Sequence, residues 1–121
     1  MDEAGPVNVT EDQIRSILKI RRGRSEIFGE GLFSDPAWDI LLELLAARLG
    51  NRKMTLVELE QVAPRSVLAR WVAELEERRL VICELNRFRP DQFSVSLSDG
   101  CAHRLLQFLS SARHLAGLNP A

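Results

Sequence analysis

Arginine sets the first question, because its planar guanidinium offers five donors in a fixed fork that suits a phosphate or the edge of a guanine. Three groups of arginines stand out. Arg65 and Arg70, with Ser66 between them, follow Pro64 at the head of a helical pattern. Arg87 and Arg89 flank Phe88 in a turn-rich stretch. Arg15, Lys19, Arg21, Arg22 and Arg24 form a run with no acidic residue between its ends. At a helix start, forks and a hydroxyl reach base edges and phosphates, and a basic run neutralises phosphates and steepens salt dependence. Each group also has a plainer reading. These are a solvated helix face, a hairpin guarded by charge against edge pairing, and the wet side of a helix.

Other chemistry finds little support. Cys83, Cys101, His103 and His114 lack the spacing of a closed zinc site, and the Cys-x-His at Cys101 to His103 supplies only two ligands. Gly29-Glu30-Gly31 has neither the Lys-Ser/Thr end of a phosphate loop nor a strand before it. No nucleophile stands beside either histidine in a catalytic arrangement. The chain therefore reads as a protein without metal, cofactor or enzymatic activity.

Composition agrees with a single soluble domain: 121 residues, 45% apolar and 27% charged. The formal net charge of -1 means that any face for a polyanion must be a local patch. Two cysteines make no disulfide framework, and reduced, buried thiols are expected. Asp2 and Glu3 stand where an export signal needs basic residues, and no apolar stretch is long enough to span a bilayer. A cytoplasmic protein with no membrane role is expected.

The elements that must position the arginines follow from caps and periodicity. Residues 1–9 read as a flexible lead-in. Thr10-Glu11-Asp12-Gln13 is a capping box. It opens a helix with Ile14, Ile17 and Leu18 as its stripe, ending in the basic run near Arg22. Asp35 before Pro36 starts a second helix, Pro36 to Leu49, with Trp38, Leu41, Leu42, Leu45 and Leu49 on one buried face. Gly50-Asn51 supplies its left-handed stop. Thr55-Leu56-Val57-Glu58 is a second capping box, for a short helix that ends before Pro64. A third helix, about 64–78, buries Val67, Leu68, Trp71, Val72 and Leu75 and turns Arg65, Ser66, Ala69 and Arg70 outward. Trp38 and Trp71 read as core residues. Leu80 to Leu85 is β-prone, and Phe93, Val95 and Leu97 alternate with serines, which makes a hairpin over about 81–97. Ser98 caps a last helix with Ala102, Leu105, Leu106, Leu109, Ala112 and Leu115 as its stripe, stopped by Gly117 and Pro120.

Helix, helix, turn, helix, hairpin, helix is the order of a winged helix-turn-helix domain, mainly α with a small β-hairpin wing. Arg70-Trp71-Val72-Ala73-Glu74-Leu75-Glu76-Glu77-Arg78-Arg79-Leu80-Val81, followed by Phe93-Ser94-Val95-Ser96-Leu97-Ser98, resembles the MarR family of bacterial regulators. In that family a recognition helix ends in an LEERGLV-like phrase and the wing returns through a VSLT-like strand. The likeness runs from about Pro36 to Leu115. Three positions depart from it. Arg79 stands where the family has glycine, Leu59 and Pro64 lie closer together than their counterparts, and Arg87-Phe88-Arg89-Pro90-Asp91 replaces an Asp-Arg-Arg wing motif.

The resemblance implies a transcriptional regulator that binds double-stranded DNA as a homodimer. The recognition helix would act through Arg65, Ser66 and Arg70 and the wing through Arg87 and Arg89, with Arg21, Arg22 and Arg24 as further phosphate ligands. Residues 34–98 would form the winged domain, and the outer segments, 10–33 and 99–121, would dimerise. The alternative is a winged-helix module for protein–protein interaction that has lost DNA contact. No effector ligand is indicated.

Overall fold

Thr10 and Gln13 close the first helix start by exchanging bonds. Gln13 Oε1 accepts the Thr10 amide at 3.0 Å, and Thr10 Oγ1 accepts the Gln13 amide at 3.2 Å. In this computed structural model residues 9–29, 35–89 and 92–116 are described, with the side chains of Ser25 and of 112–116 excepted. Gly31, Pro90, Asp91, Gly117 and Pro120 lie outside the described residues, as do the lead-in before Val9 and the side chains of Ala112, His114 and Leu115.

Helix α1 spans Glu11–Phe28 and so passes through the basic run, beyond the end expected near Arg22. One interior glycine, Gly23, costs a helix about 1 kcal/mol, which packing overrides. The helix stops at Gly29, whose φ of +103° a residue without Cβ adopts freely.

Helix α2 spans Pro36–Leu49, with Asp35 Oδ1 accepting the Trp38 amide at 3.3 Å. Its burial is not the single face expected. Ile40, Leu42, Glu43, Leu44, Leu45, Ala46 and Ala47 are all buried, while Leu49 is partly exposed. A helix apolar on all sides is a central one. Here α1, α3 and the sheet pack around it.

At the end of α2 the Asn51 amide donates to the Arg48 carbonyl at 3.0 Å and the Arg52 amide to the Ala47 carbonyl at 2.7 Å, a Schellman closure. The left-handed residue is Asn51, at φ +61°. Gly50 lies at φ -88°, and a Cβ there would meet only the movable end of the Glu11 side chain, at 2.5 Å from Oε1.

The second capping box forms, with Thr55 N–H to Glu58 Oε1 at 2.8 Å and Glu58 N–H to Thr55 Oγ1 at 3.3 Å. The helix it opens is one 3-10 turn, Glu58–Gln61. Just before it, Met54–Thr55 forms β1, a strand that the sequence reading lacks. Helix α3 follows at Arg65–Glu77, then β2 (Val81–Glu84), β3 (Ser94–Leu97) and α4 (Asp99–Ala116).

The sheet is antiparallel in the order β1-β3-β2, so the hairpin carries a third strand on the outer edge of β3. Val81 pairs with Leu97 and Cys83 with Val95, which directs these residues inward and leaves Ile82 and Glu84 outward. Ser98 joins wing to helix: its amide donates to the Leu80 carbonyl at 2.9 Å, and its Oγ accepts the Cys101 amide at 3.2 Å. Cys101, Ala102, Leu105 and Leu109 of α4 complete a core built on Ile14, Leu18, Leu59, Leu68, Val72 and Val95.

Candidate nucleic-acid interface

Helix α3 is held by Leu68, Val72 and Leu75, which are buried, with Val67 and Trp71 partly so. That spacing forces Arg65, Ser66, Ala69 and Arg70 outward, where all four are exposed. Pro64 sets the entry at φ -58° and ψ 152°. No side chain caps the first amides, and the first turn has no acidic residue. Free amides and the helix dipole therefore reinforce Arg65 at a positive end. Arg65 Nε stands 3.5 Å from Glu60 Oε2, a loose pair between exposed groups that holds little energy. Among the described residues Arg70 has no ion-pair partner. The far half of α3 is acidic, with Glu74, Glu76 and Glu77, and Glu74 holds Arg78 at 2.7 Å.

At the wing, Asn86 organises the turn. Its Oδ1 accepts the amides of Phe88 at 2.9 Å and Arg89 at 3.2 Å, an Asx-type closure. Arg87, Phe88 and Arg89 all face solvent. Lys53 Nζ, just ahead of β1, bonds Glu84 Oε1 at 2.6 Å and so neutralises the one carboxylate on the hairpin strands. An open hollow of about 380 Å³ lies beside that pair, bounded also by Leu85 and Asn86.

The α1 arginines face a different environment. Arg21 Nε meets Asp39 Oδ1 at 2.5 Å, with the Arg21 side chain only 19% exposed. Arg22 Nη2 and Arg15 Nη1 take the two oxygens of Glu43, at 2.5 and 2.7 Å, and Glu43 is fully buried. Arg15 and Arg22 sit two helical turns apart, and Asp39 and Glu43 one turn apart, so both sets share a seam. Arg21 and Arg22 thus join α1 to α2 through Asp39 and Glu43. Lys19 and Arg24 are exposed on α1.

The thiols are poorly nucleophilic. Burial, and then the neighbouring Glu76 carboxylate, push the Cys83 thiol up to about 11. Burial also raises Cys101, against a smaller lowering by Arg104. Both are protonated at neutral pH. Among the described residues no three His, Cys, Asp or Glu side chains gather to hold a metal ion, and no helix is long and apolar enough to cross a membrane.

Two residues of consequence escaped the sequence reading. Glu43 stands as a lone carboxylate amid leucines in a chain that also carries a basic helix, and that is the signal for its burial. Phe88, an aromatic between two arginines in a turn, is signalled in the sequence by that flanking pair.

No protein-family model matches the chain, and no curated protein matches it. Among solved structures it is similar to apo (heme-free) PefR, with a TM-score of 0.55 and 13% identity over 89% of this chain and 91% of that one. It is also similar to the adhesin competence repressor AdcR from Streptococcus pyogenes, with a TM-score of 0.47 and 10% identity over 94% of this chain and 86% of that one. At such identity the PefR likeness is one of fold, and together with the element order it makes this chain a winged helix-turn-helix protein.

Proposed function

We propose that this protein is a DNA-binding transcriptional regulator of the MarR-like kind, acting on duplex DNA through α3 and the wing. One observation carries the reading. Arg15, Arg21 and Arg22 of α1 are paired with the α2 carboxylates Asp39 and Glu43, whereas Arg65, Arg70, Arg87 and Arg89 remain at the surface of the two elements that a winged helix presents to DNA. In a chain of net charge -1, these four exposed arginines would supply positive charge where phosphates arrive. The fold shared with PefR agrees with this reading. Arg65, Ser66 and Arg70 would reach base edges from the uncapped end of α3, and the wing arginines would meet the backbone.

The working unit in this reading is a homodimer joined through α1 and α4. Ile20, Ile27 and Phe28 on α1 and Phe108 on α4 are each more than half exposed, an apolar surface on the two outer helices that a second copy would cover. Sedimentation at micromolar concentration tests this, and a monomer throughout would remove it.

A second reading, an interaction module without DNA contact, has its own support. The helix ahead of α3 is reduced to one 3-10 turn, and the wing exposes Leu85 and Phe88. Fluorescence anisotropy with labelled duplexes at two salt concentrations separates the two. Binding that weakens steeply with salt supports the regulator, and no binding at low salt leaves the module.

A further inference from the structure

The ring of Phe88 has no place in the fold: it is 94% exposed, the most exposed large apolar side chain among the described residues. Leu85, the residue just after β2, stands 76% exposed at the root of the same tip. Such surface is unfavourable in water, and Phe88 and Leu85 together place apolar area at the wing tip beside two arginines. Phe88 is held by its backbone. Its own amide is bonded to Asn86 Oδ1 at 2.9 Å, and the next amide is shared between Asn86 Oδ1 and the Asn86 carbonyl, each at 3.2 Å. The ring is thus carried on a closed turn.

Charge tells what kind of partner fits. Arg87 and Arg89 flank the ring, and among the described residues neither has an ion-pair partner. Glu84, the carboxylate nearest in the hairpin strands, is already bound to Lys53. An apolar wedge between two guanidiniums matches a stacked polyanion, whose phosphates accept the forks while the ring parts two bases.

We propose that Phe88 is a wedge that enters a base step of duplex DNA from the minor groove, kinking the duplex while Arg87 and Arg89 grip the phosphates on either side. The proposal rests on the DNA-binding reading and deepens it. The wing would then read deformability rather than base edges, favouring steps that unstack easily, such as TA, over stiff A-tracts. No bond is made or broken. Specificity comes from the energy of parting the step.

The test uses the full chain and two labelled duplexes of equal length, one with TA steps and one with an A-tract. Anisotropy reads affinity, and energy transfer between end labels reads bending. The parent is expected to prefer the TA duplex about tenfold and to bend it by at least roughly 20°. Phe88→Ala should bring the preference to within about twofold and straighten the duplex, while Phe88→Leu keeps part of both. The ring touches nothing in the core, so an unchanged helical circular dichroism spectrum verifies the fold of the variants. If the parent and Phe88→Ala bind and bend alike while Arg70→Ala still weakens binding, the wedge is overturned and the regulator reading stands. If the parent binds neither duplex at low salt, both fall. Binding to anionic vesicles that Phe88→Ala abolishes, with duplex behaviour unchanged, would assign the tip to a lipid surface and overturn the wedge.

Discussion

On α1, Arg15 and Arg22 close upon Glu43, a carboxylate with no exposure at all, and Arg21 upon Asp39. On α3 and the wing, Arg65, Arg70, Arg87 and Arg89 face water with at most a loose contact to Glu60. The residue type is the same in both regions, and what differs is the neighbouring helix. Helix α2 presents Asp39 and Glu43 one turn apart along a seam that α1 must cover, so there the arginines complete the fold. The outer side of α3 has no facing element, so its arginines stay available. A basic stretch therefore declares its use only when the carboxylates within reach are known.

The sharpest way to break this contrast is to remove the inward arginines. Arg15→Ala with Arg22→Ala leaves Glu43 buried without a counter-charge, and breaking such a pair by deleting one side costs about 3–5 kcal/mol. Because both guanidiniums are themselves more than a third exposed, a loss near about 3 kcal/mol is expected from urea unfolding. Glu43→Leu should instead stay within about 1 kcal/mol of the parent, since an apolar isostere in this apolar surround removes the desolvation cost together with the pair. A Glu43→Leu protein whose duplex binding became more salt-dependent would place α1 in the interface and erase the contrast.

Trp71 tests the other side of α3. It packs partly buried against the core beneath the exposed arginines, so Trp71→Ala should destabilise by about 2–3 kcal/mol, somewhat less than a fully buried aromatic. Loss of duplex binding at unchanged melting temperature would make Trp71 a contact residue instead.

For the outward group, Arg70→Ala is expected to weaken binding to a duplex selected by this protein by about 1–3 kcal/mol, with stability unchanged within about 0.5 kcal/mol. Arg65→Ala should cost less, because Glu60 already shares its charge. Arg87→Ala and Arg89→Ala should lower affinity for selected and scrambled duplexes alike and flatten the salt slope. Titrations of all four at two salt concentrations distinguish base reading from backbone grip. Four variants that bind as the parent does would remove the regulator reading.

Much of this architecture was legible because local chemistry announces it. Asp35-Pro36 and Gly50-Asn51 bracket α2 to the residue, and both capping boxes form with their reciprocal bonds. What was not legible depends on distant partners. Two residues, Met54 and Thr55, are too few to show alternation, and they become a strand only because Val95 and Ser94 lie opposite. α1 runs on through its basic stretch, where Asp39 and Glu43 of α2 pair with Arg15, Arg21 and Arg22. The outward placement of Arg65, Ser66 and Arg70 follows directly from apolar spacing in α3. The fate of Arg21 and Arg22 turns on residues well along the chain.

Arg79 offers the smallest effect and the finest distinction. Its amide donates to the Glu76 carbonyl at 2.9 Å, and the Leu80 amide to the Leu75 carbonyl at 2.9 Å, so α3 ends in the same Schellman closure as α2. The left-handed position falls on Asn51 in one helix and on Arg79 in the other, both at φ +61°. Asparagine tolerates that region, whereas arginine brings a Cβ clash of about 1 kcal/mol. The departure from glycine at Arg79 therefore leaves the turn intact and places the strain in one residue. Arg79→Gly is expected to raise stability by about 0.5–1 kcal/mol, the relief of strain being partly offset by the freer unfolded chain. Asn51→Gly should gain only a few tenths at most. Arg65 and Arg79 stand at opposite ends of α3, about 20 Å apart along its axis, well beyond the Debye length of about 8 Å at physiological salt. Arg79→Gly should therefore leave duplex affinity at the parent's value while the melting temperature rises. A fall in affinity matching that of Arg70→Ala would extend the outward group to the base of the wing, and an unchanged melting temperature would show that the turn carries no strain.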